Sequence, residues 1–330
     1  MPVHDLGYRT WRGERAAHFL RPLVVARAGI ALVFKRRWLR IMLVLAWLPV
    51  LFPAFGIFAF EYSSTEPELQ DMIVGLVSRP LQQPELGALI RNDPEAARHQ
   101  VWSTLILMFF RYPQLFAMVA LIGLIAPLLV SYDLRTKAYL MYFSRPLSPT
   151  QYIIGKSAVI WCLLGMVVTL PALLLYGMGV LLSPDLSVVQ QTWDIPLRIF
   201  AASFVLLIPT TTLAILFSSL TAESRYATFC WFATWALGFV AYQILTFSPA
   251  AMSGDRPRRR RGPVDWEAMG VDLDRWRLLS PYHTLGKVQA WIFGLDTTSA
   301  SVIPCVVLLV AITVVGFWIV RRRILARLSV

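Results

Sequence analysis

The chain is organised around six long runs of apolar residues separated by more polar segments. A run of about 20 apolar residues is long enough to cross the hydrocarbon core of a bilayer as a single α-helix. Charged residues lie at the edges of these runs, as expected for segments whose surroundings are lipid. We therefore predict an all-α integral membrane protein with about six transmembrane helices, at residues 38–60, 114–131, 157–182, 197–218, 226–247 and 301–320.

The second run has two possible starting points. Residues 102–110 are also apolar, but Arg111 and Pro113 separate them from the run that follows. Prolines also lie inside several of the runs, where they are expected to kink a membrane helix. Each proline is either a bend point for motion or a fixed kink that aids packing, and the ones concerned are Pro49, Pro53, Pro171 and Pro209.

The N-terminal segment 1–37 combines many arginines with a short apolar stretch from Pro22 to Phe34. This combination predicts an amphipathic helix that lies in the cytoplasmic interface of the membrane. The alternative is a plain flanking tail, because the amphipathic pattern is imperfect. The segment does not read as a secretory signal peptide, since the first long apolar run begins only near Trp38.

The distribution of cations predicts the orientation in the membrane. The N-terminal segment, the stretch 132–156 and the C-terminal tail are basic, whereas 61–100 is acidic. Since cytoplasmic loops carry an excess of Lys and Arg, we expect both termini to lie in the cytoplasm and the protein to span the inner (plasma) membrane several times. Segments 61–100 and 248–300 are then extracytoplasmic, and the second of these is long enough to escape the charge rule.

The extracytoplasmic segment 248–300 contains a basic run at Arg256 and Arg258–Arg261. A solvated loop is one interpretation of this run, given its Gly and Pro neighbours. A site for acidic lipid or an anionic substrate is a second interpretation. Nucleic-acid binding is the least favoured, because the run lacks interleaved aromatic residues.

Composition supports a membrane protein and argues against an enzyme. Hydrophobic residues make up 57% of the chain and charged residues 15%, against about 45–50% and about 25% in soluble domains. The net charge of +12 is explained by orientation-setting loops rather than by nucleic acid. The three cysteines lie far apart in apolar runs and predict no metal site. The runs contain few ionisable residues, which disfavours proton- or ion-coupled transport.

The stretch 125–161, IAPLLVSYDLRTKAYLMYFSRPLSPTQYIIGKSAVIW, holds the most informative pattern. Residues 134–143 mix cations with apolar and aromatic residues and predict a short helix, with Asp133 near its start, where a carboxylate is favourable. Pro146 is expected to stop this helix. The result is an apolar-tipped projection that could dock in a groove of a soluble partner. The alternative is a helix that lies on the surface of its own membrane.

One string in this stretch imitates a nucleotide-binding motif. Residues Thr150–Ser157 end in Gly-Lys-Ser, as a P-loop does, but Thr150 replaces the first glycine and two isoleucines fill the turn. A P-loop needs a flexible glycine-rich turn whose backbone N–H groups surround phosphate. We therefore expect no ATP binding by this chain, and Gly155-Lys156 is interpreted as the cytoplasmic mouth of the third span.

The stretch also resembles the cytoplasmic loop of ABC-2 type permeases, the membrane subunits of ATP-binding cassette exporters. That family commonly has an acidic residue after span two, a basic residue soon after, a Ser/Arg-Pro element and Gly-Lys entering span three. The matching residues are Asp133, Arg135, Ser144, Arg145, Pro146, Gly155 and Lys156. Lys137-Ala138 stands where the family often has glycine. The helical segment from Leu279 to Phe293 fits an outer segment before the last span.

The resemblance implies that the chain does not hydrolyse ATP itself. Two permease chains, identical or related, would pair with two separate ATPase chains, which would bind the ATP and Mg²⁺; no cofactor is expected in this chain. The resemblance places the N-terminal helix and the loop helix against the ATPase. The residues expected at this interface are Asp133, Leu134, Arg135, Tyr139, Leu140, Phe143, Arg145 and Pro146.

Two other functions stay open. A non-transporting membrane scaffold that recruits a soluble complex would need the same projection but no path through the membrane. A polytopic membrane enzyme would need clustered polar residues, and the spans contain no paired carboxylates or Ser/His/Asp set. Apolar spans suit a lipid-like cargo, but the sequence alone does not identify the substrate.

Overall fold

The computed structural model describes residues 21–63, 67–78, 84–138, 147–185, 187–246 and 273–328. These residues contain helices and turns but no strand, and six helical segments are long and apolar enough to cross a membrane. The prediction of an all-α membrane protein with six spans is therefore confirmed. The spans are Arg37–Ser63, Pro94–Arg135, Pro149–Leu182, Val188–Leu220, Ser224–Leu245 and Ser299–Ala326.

Most spans consist of more than one helix, and short helices lie between them. The α-helices are α1 Arg21–Lys35, α2 Arg37–Leu45, α3 Leu51–Ser63, α4 Pro67–Ser78, α5 Pro84–Asn92, α6 Pro94–Pro113, α7 Val119–Leu129, α8 Ser131–Arg135, α9 Pro149–Leu164, α10 Leu170–Leu182, α11 Val188–Thr192, α12 Asp194–Leu220, α13 Ser224–Leu245, α14 Leu273–Arg277, α15 Pro281–Ile292 and α16 Ser299–Leu328. A 3₁₀ turn joins α2 to α3, and π-helical turns at Gln114–Met118 and Gly165–Thr169 join α6 to α7 and α9 to α10.

Spans two, three and four form the centre of the bundle. In their most apolar stretches 61%, 50% and 50% of the residues are buried, against 22%, 17% and 17% in spans one, five and six. The outer spans present large apolar side chains such as Phe55, Phe229 and Val307 to the exterior. Because lipid is as apolar as these side chains, the exposure is what a membrane-embedded surface requires.

The structure shows where the helix of the second span begins. The helix runs from Pro94 through the π-helical turn Gln114–Met118 to Leu129, so it includes residues 102–110 and continues past Arg111. Trp102, Phe109 and Phe110 are fully buried along it. Residues 94–100, expected in an extracytoplasmic segment, therefore extend the span, and Ala97 and Arg98 are buried against neighbouring helices.

Five groups of cations mark one end of the bundle, here called the basic end. It carries α1, α8, the start of α9, the turn between α12 and α13, and Arg321–Arg323 at the end of the sixth span. Arg323 Nη1 donates to the Leu220 carbonyl oxygen at 3.4 Å, which ties the sixth span to the fourth there. Residues 1–20, which include much of the predicted N-terminal segment, lie outside the described part of the chain.

Buried polar contacts join the spans at the opposite end. Arg98 Nε donates to Glu61 Oε1 at 3.0 Å, and Trp102 Nε1 donates to the same oxygen at 3.0 Å. Asp194 accepts from Arg198 Nε at 2.7 Å and lies 3.0 Å from His99 Nε2. These contacts connect the ends of spans one, two and four and satisfy charges that would be costly in a low-dielectric setting.

Helix α15 lies among the spans rather than above them. Its N-terminal turn touches the middle of the fifth span, where a Cβ added to Gly238 would come 2.7 Å from the Leu279 carbonyl oxygen. Its C-terminal turn receives a hydrogen bond from Arg198 Nη1 to the Ile292 carbonyl oxygen at 3.1 Å. Part of the predicted extracytoplasmic segment 248–300 is therefore packed inside the bundle. The basic run Arg256–Arg261 lies outside the described residues.

An ion pair fastens the chain between α15 and the sixth span. Lys287 Nζ contacts Asp296 Oδ2, and the Thr298 backbone N–H donates to Asp296 Oδ1 at 3.1 Å. Partial burial would raise the pKa of Asp296, but the hydrogen bonds from Lys287 and Thr298 outweigh it and hold the pKa below its ordinary value. The carboxylate therefore stays ionised and holds the C-terminal turn of α15 close to the start of α16.

Candidate functional site

A cluster of polar side chains at the basic end is centred on Asp133. Its carboxylate oxygen Oδ2 lies 2.7 Å from Lys156 Nζ and accepts a hydrogen bond from the Tyr152 hydroxyl at 2.8 Å. The side chains of Lys156 and Asp133 are only 6% and 10% exposed. A buried ion pair is maintained only when its geometry is good and further hydrogen bonds satisfy its atoms. The Tyr152 hydroxyl supplies one such bond.

Local sequence positions both partners of the pair. Ser131, the first residue of α8, donates its hydroxyl proton to the Ser218 carbonyl oxygen at 2.8 Å, which holds α8 against the fourth span. On the other side, Ser148 caps α9: its Oγ accepts from the Gln151 N–H at 3.2 Å, while Gln151 Oε1 accepts from the Ser148 N–H at 3.0 Å. This capping box, with Pro149 in the first turn, fixes where α9 begins.

Helix α1 packs against the same part of α9. A Cβ added to Gly29 would come 2.5 Å from Val159 Cγ2, and a Cβ added to Gly155 would come 2.7 Å from Val25 Cβ and 2.9 Å from the Pro22 carbonyl oxygen. Each helix thus places a glycine opposite a valine of the other, and the two backbones approach closely. Val25, Ala26, Gly29 and Val33 are the buried residues of α1.

The short helix α8 includes only the first two residues of the predicted helix 134–143, and residues 139–143 of that prediction lie outside the described part of the chain. It stops at Arg135, and the Ala138 N–H bonds back to the Asp133 carbonyl oxygen at 3.0 Å. Lys137 has a φ of +56°, in the left-handed region that favours glycine. A helix terminated in this way does not continue through Lys137, and this is the position where the ABC-2 pattern often has glycine.

The predicted interface residues fall into four groups. Asp133 is buried, so its carboxylate contacts Lys156 and Tyr152 rather than the surface. Leu134 is partly buried and packs against the core. Arg135 is exposed and lies 3.9 Å from Glu223 Oε2, which Arg225 Nε also approaches at 3.9 Å. Tyr139, Leu140, Phe143, Arg145 and Pro146 lie outside the described residues.

Lys156 and Tyr152 belong to the site although neither was among the predicted interface residues. Lys156 was noticed only as part of the Gly-Lys pair that enters span three, and Tyr152 lies one helical turn before it. An Asp and a Lys at the two ends of one loop are the available signal, because the loop returns the chain to the same end of the bundle. The string Thr150–Ser157 lies in helix α9, where Lys156 faces Asp133 rather than a phosphate.

The cluster connects three helices at the basic end. The Asp133–Lys156 pair joins α8 to α9, and the close approaches at Gly29 and Gly155 join α9 to α1. The described residues contain no group of three or more His, Cys, Asp or Glu side chains that could hold a metal ion.

Comparison with known proteins shows the family of the chain. No curated protein matches the chain. A family model described as ABC-2 family transporter protein matches residues 23–323, which is nearly the whole chain and includes five spans and all but the last three residues of the sixth. The protein therefore belongs to the ABC-2 family of transporter proteins and is a multi-pass membrane subunit of that class.

Proposed function

We propose that this chain is the permease subunit of an ABC exporter and that a separate ATPase chain drives it. In this proposal two copies of the ATPase bind ATP and Mg²⁺, and the permease pairs with a second permease chain of the same or a related sequence. Both termini and the basic end face the cytoplasm, where the ATPase is available. Family membership and the buried Asp133–Lys156 pair support the proposal.

The pair carries the proposal because it joins the loop to the membrane helices. Asp133 lies just before the segment 139–146, and Lys156 lies just after it, within the third span. A force applied to the segment by the ATPase would reach α8 and α9 together, since their relative position is held by the buried contact. Helix α1 would follow α9 through the close approach at Gly155.

The surface offered to the ATPase would be formed by Arg135 and the segment that follows it. Arg135 is exposed, and its contact with Glu223 at 3.9 Å is loose enough to be exchanged for a partner. Tyr139, Leu140, Phe143, Arg145 and Pro146 would supply the apolar part of the same surface. Asp133 would lie beneath this surface and would hold it in place through its buried ion pair with Lys156.

Closure of the ATPase dimer would move the bundle between two arrangements. Transport of this kind proceeds by rigid-body motion about interfaces that have two stable states. The π-helical turns at Gln114–Met118 and Gly165–Thr169 interrupt the regular helix in spans two and three, next to Pro113 and Pro171. Such interruptions are common at functional sites and offer places where these spans could bend.

The direct experiment reconstitutes the full chain with its cassette ATPase in phosphatidylglycerol-containing vesicles. We expect ATP hydrolysis to rise when both are present and to fall when Arg135→Ala and Tyr139→Ala are combined. Arg91→Gln is the control, because Arg91 is exposed and pairs with Asp71 at the opposite end. Unchanged hydrolysis in the Arg135/Tyr139 variant would contradict the docking role.

A transport measurement separates an exporter from a scaffold. Fluorescent phospholipids in the vesicle membrane report ATP-dependent movement between leaflets when a quencher is added outside. A scaffold would bind the ATPase and stimulate it without moving any cargo. ATP-dependent redistribution supports export, whereas tight binding with no redistribution of lipid or of extracted cell amphiphiles would favour the scaffold.

A further inference from the structure

Arg111 is a half-buried cation inside the second span whose guanidinium is only partly satisfied. Its Nε donates to the Tyr282 hydroxyl at 3.0 Å, and its Cζ lies 4.3 Å from the centre of the Tyr282 ring. Its Nη atoms have no hydrogen-bond acceptor in the described part of the chain. Gly286 lies beside Nη1, where an added Cβ would come within 2.0 Å.

The partial burial of Arg111 among helices makes this arrangement costly. Arg111 lies about 20 residues before Ser131, or about 30 Å along a helix axis, which is about the full thickness of the hydrocarbon core and places it near the boundary farther from the basic end. An ionised side chain that is partly buried within a helix bundle there normally pairs with an acid or faces a path for a charged ligand. Arg111 does not lie in a water-exposed tail, since α15 covers it.

Other buried or half-buried cations at this end have carboxylate partners. Arg98 lies 3.0 Å from Glu61, Arg198 lies 2.7 Å from Asp194, and Arg277 lies 2.7 Å from Asp274. Lys287 contacts Asp296. Among the residues that the structure describes, no carboxylate lies within ion-pair distance of Arg111. Within the described part of the chain, Arg111 is therefore a positive charge without a carboxylate counter-charge.

The Tyr282 ring beside the cation belongs to a cluster of aromatic side chains. The His283 ring stacks on Tyr242 with 3.8 Å between ring centres. Phe239 stacks on His283 at 5.5 Å and meets the Tyr282 ring edge-on at 5.8 Å. His283 Nδ1 lies 2.8 Å from Ser280 Oγ. Burial, followed by Arg111 and Arg277, lowers the pKa of His283 to about 4, so the ring is neutral at pH 7 and adds no second positive charge.

We propose that Arg111 and the aromatic residues around it bind the oxyanion headgroup, phosphate or carboxylate, of an anionic amphiphile. The guanidinium supplies two free N–H directions suited to an oxyanion, and the rings of Tyr242, Tyr282 and Phe239 supply an apolar wall for the part next to the headgroup. This inference rests on the proposed exporter function and deepens it, because it makes anionic amphiphiles the substrate class.

Binding is measured on the full chain alone in nanodiscs of phosphatidylcholine with increasing phosphatidylglycerol. Native mass spectrometry counts the bound phosphatidylglycerol, and thermal unfolding reports the stabilisation that it provides. We expect Arg111→Gln to weaken binding by about tenfold or more, since a charge-assisted contact is lost, and Arg111→Lys to retain part of it. Arg91→Gln, a change of an exposed cation at the same end, is expected to bind as the wild type does.

A second variant guards against a folding defect in Arg111→Gln. Tyr282→Phe keeps the ring under the guanidinium and removes only the hydroxyl that orients it, so it is expected to fold and to bind phosphatidylglycerol more weakly. Equal binding by wild type, Arg111→Gln and Tyr282→Phe would overturn the inference. Saturable displacement of phosphatidylglycerol by inorganic phosphate would show a site for the free anion, and would overturn the amphiphile part.

The outcome is separable from that of the proposed function because no ATPase is present. Binding that does not depend on Arg111, together with normal stimulation of the ATPase by the full chain, would remove this inference and leave the exporter proposal intact. Arg111-dependent binding without any ATPase stimulation would support the lipid site and count against the exporter. If both hold, phosphatidylglycerol is expected to stimulate hydrolysis in the wild-type complex and not in the Arg111→Gln complex.

Discussion

At the scale of single residues, Asp133 and Lys156 form an ion pair that is almost completely buried. Removal of either partner leaves an unpaired buried charge, which typically costs about 3–5 kcal/mol. The pair itself adds little net stability, because both groups lose their hydration. Its consequence is geometric, because it favours one position of α8 against α9. The hydrogen bond from Tyr152 to Asp133 restricts that position further.

Lys137 gives the first prediction at this scale. A lysine with φ of +56° is strained where glycine is not, by about 1 kcal/mol. We expect Lys137→Gly to raise the free energy of unfolding by about that amount, measured by denaturation in detergent micelles. Thr136→Gly is the control: Thr136 has an ordinary helical φ of −83°, so glycine there should destabilise instead. A loss of stability in Lys137→Gly would contradict the assigned helix end.

His283 gives a prediction for pH. Its pKa of about 4 in the folded protein lies below the ordinary value of 6.5, so the unfolded chain takes up the proton first as pH falls. The stability that His283 contributes is complete above pH 6.5 and is lost progressively as pH falls toward 4. Thermal unfolding at pH 7 and pH 5 should show a smaller loss in His283→Phe, which keeps the stacked ring. An equal loss in both proteins would contradict the assignment.

The sequence located the residues of the loop better than it located their partners. Asp133, Arg135 and Gly155-Lys156 were noticed because their order along the chain matches a family pattern. The contact between Asp133 and Lys156 was not predicted, because it depends on how two helices of different spans meet, which periodicity does not describe. Arg111 was noticed as an interruption of an apolar run. That only part of its guanidinium has a hydrogen-bond partner follows from the position of α15, which the sequence alone does not indicate.

At the scale of helices, α1 and α9 act as one element because of two glycines. Gly29 faces Val159, and Gly155 faces Val25, so the helices approach more closely than larger side chains would allow. Dispersion contacts grow with such proximity, and in a membrane they are a main source of helix association. A motion of α9 therefore carries α1 with it.

The prediction for this contact compares two glycines. A Cβ in Gly155→Ala would come 2.9 Å from the Pro22 carbonyl oxygen, a backbone atom, so α1 must shift. We expect the variant to lose about 1–3 kcal/mol of unfolding free energy and to expose the N-terminal segment to protease. Gly177→Ala is the matched control in the same span, because nothing lies within 4 Å of its added Cβ. Similar protease sensitivity in both variants would argue against a tight α1–α9 contact.

The existence of the six helices could be predicted from the sequence, but their ends could not. Apolar runs report the length that lies in hydrocarbon, about 20 residues. The second span, Pro94–Arg135, and the helix Asp194–Leu220 are longer than that, because ion pairs at Glu61 and Asp194 satisfy polar residues near their ends. Helix α15 was predicted as an outer helix, yet it packs among the spans, because its apolar face finds helices rather than water.

At the scale of the whole molecule, charge divides the bundle into two ends. Arg36, Arg37 and Arg40 at the start of the first span and Arg321–Arg323 at the end of the sixth lie at the basic end and are exposed. Arg322 Cζ lies 5.1 Å from the ring centre of Trp318, an exposed residue, as expected for an aromatic anchor beside lipid headgroups. This asymmetry supports the proposed orientation, with the basic end in the cytoplasm.

Cysteine labelling in intact cells tests the orientation. The exposed Cys162 and Cys230 are first replaced by serine, and single cysteines are then placed at Arg135 and at Asp71. A membrane-impermeant maleimide should react with the cysteine at 71 from outside, whereas the cysteine at 135 should react only after the cells are opened. The reverse pattern would place the basic end outside and would remove access of the loop to a cytoplasmic ATPase.

The most direct test of the account measures ATP hydrolysis by the complete complex when the buried pair is broken. The full chain and its cassette ATPase are reconstituted together, and hydrolysis is normalised to the amount of folded complex. Asp133→Asn and Lys156→Met are each expected to lower the stimulated rate by about tenfold or more, with the ATPase still bound, because a displacement of the loop no longer reaches α9. Arg91→Gln should leave the rate unchanged. Stimulation equal to that of the wild type in both Asp133→Asn and Lys156→Met would contradict the claim that the pair transmits the motion.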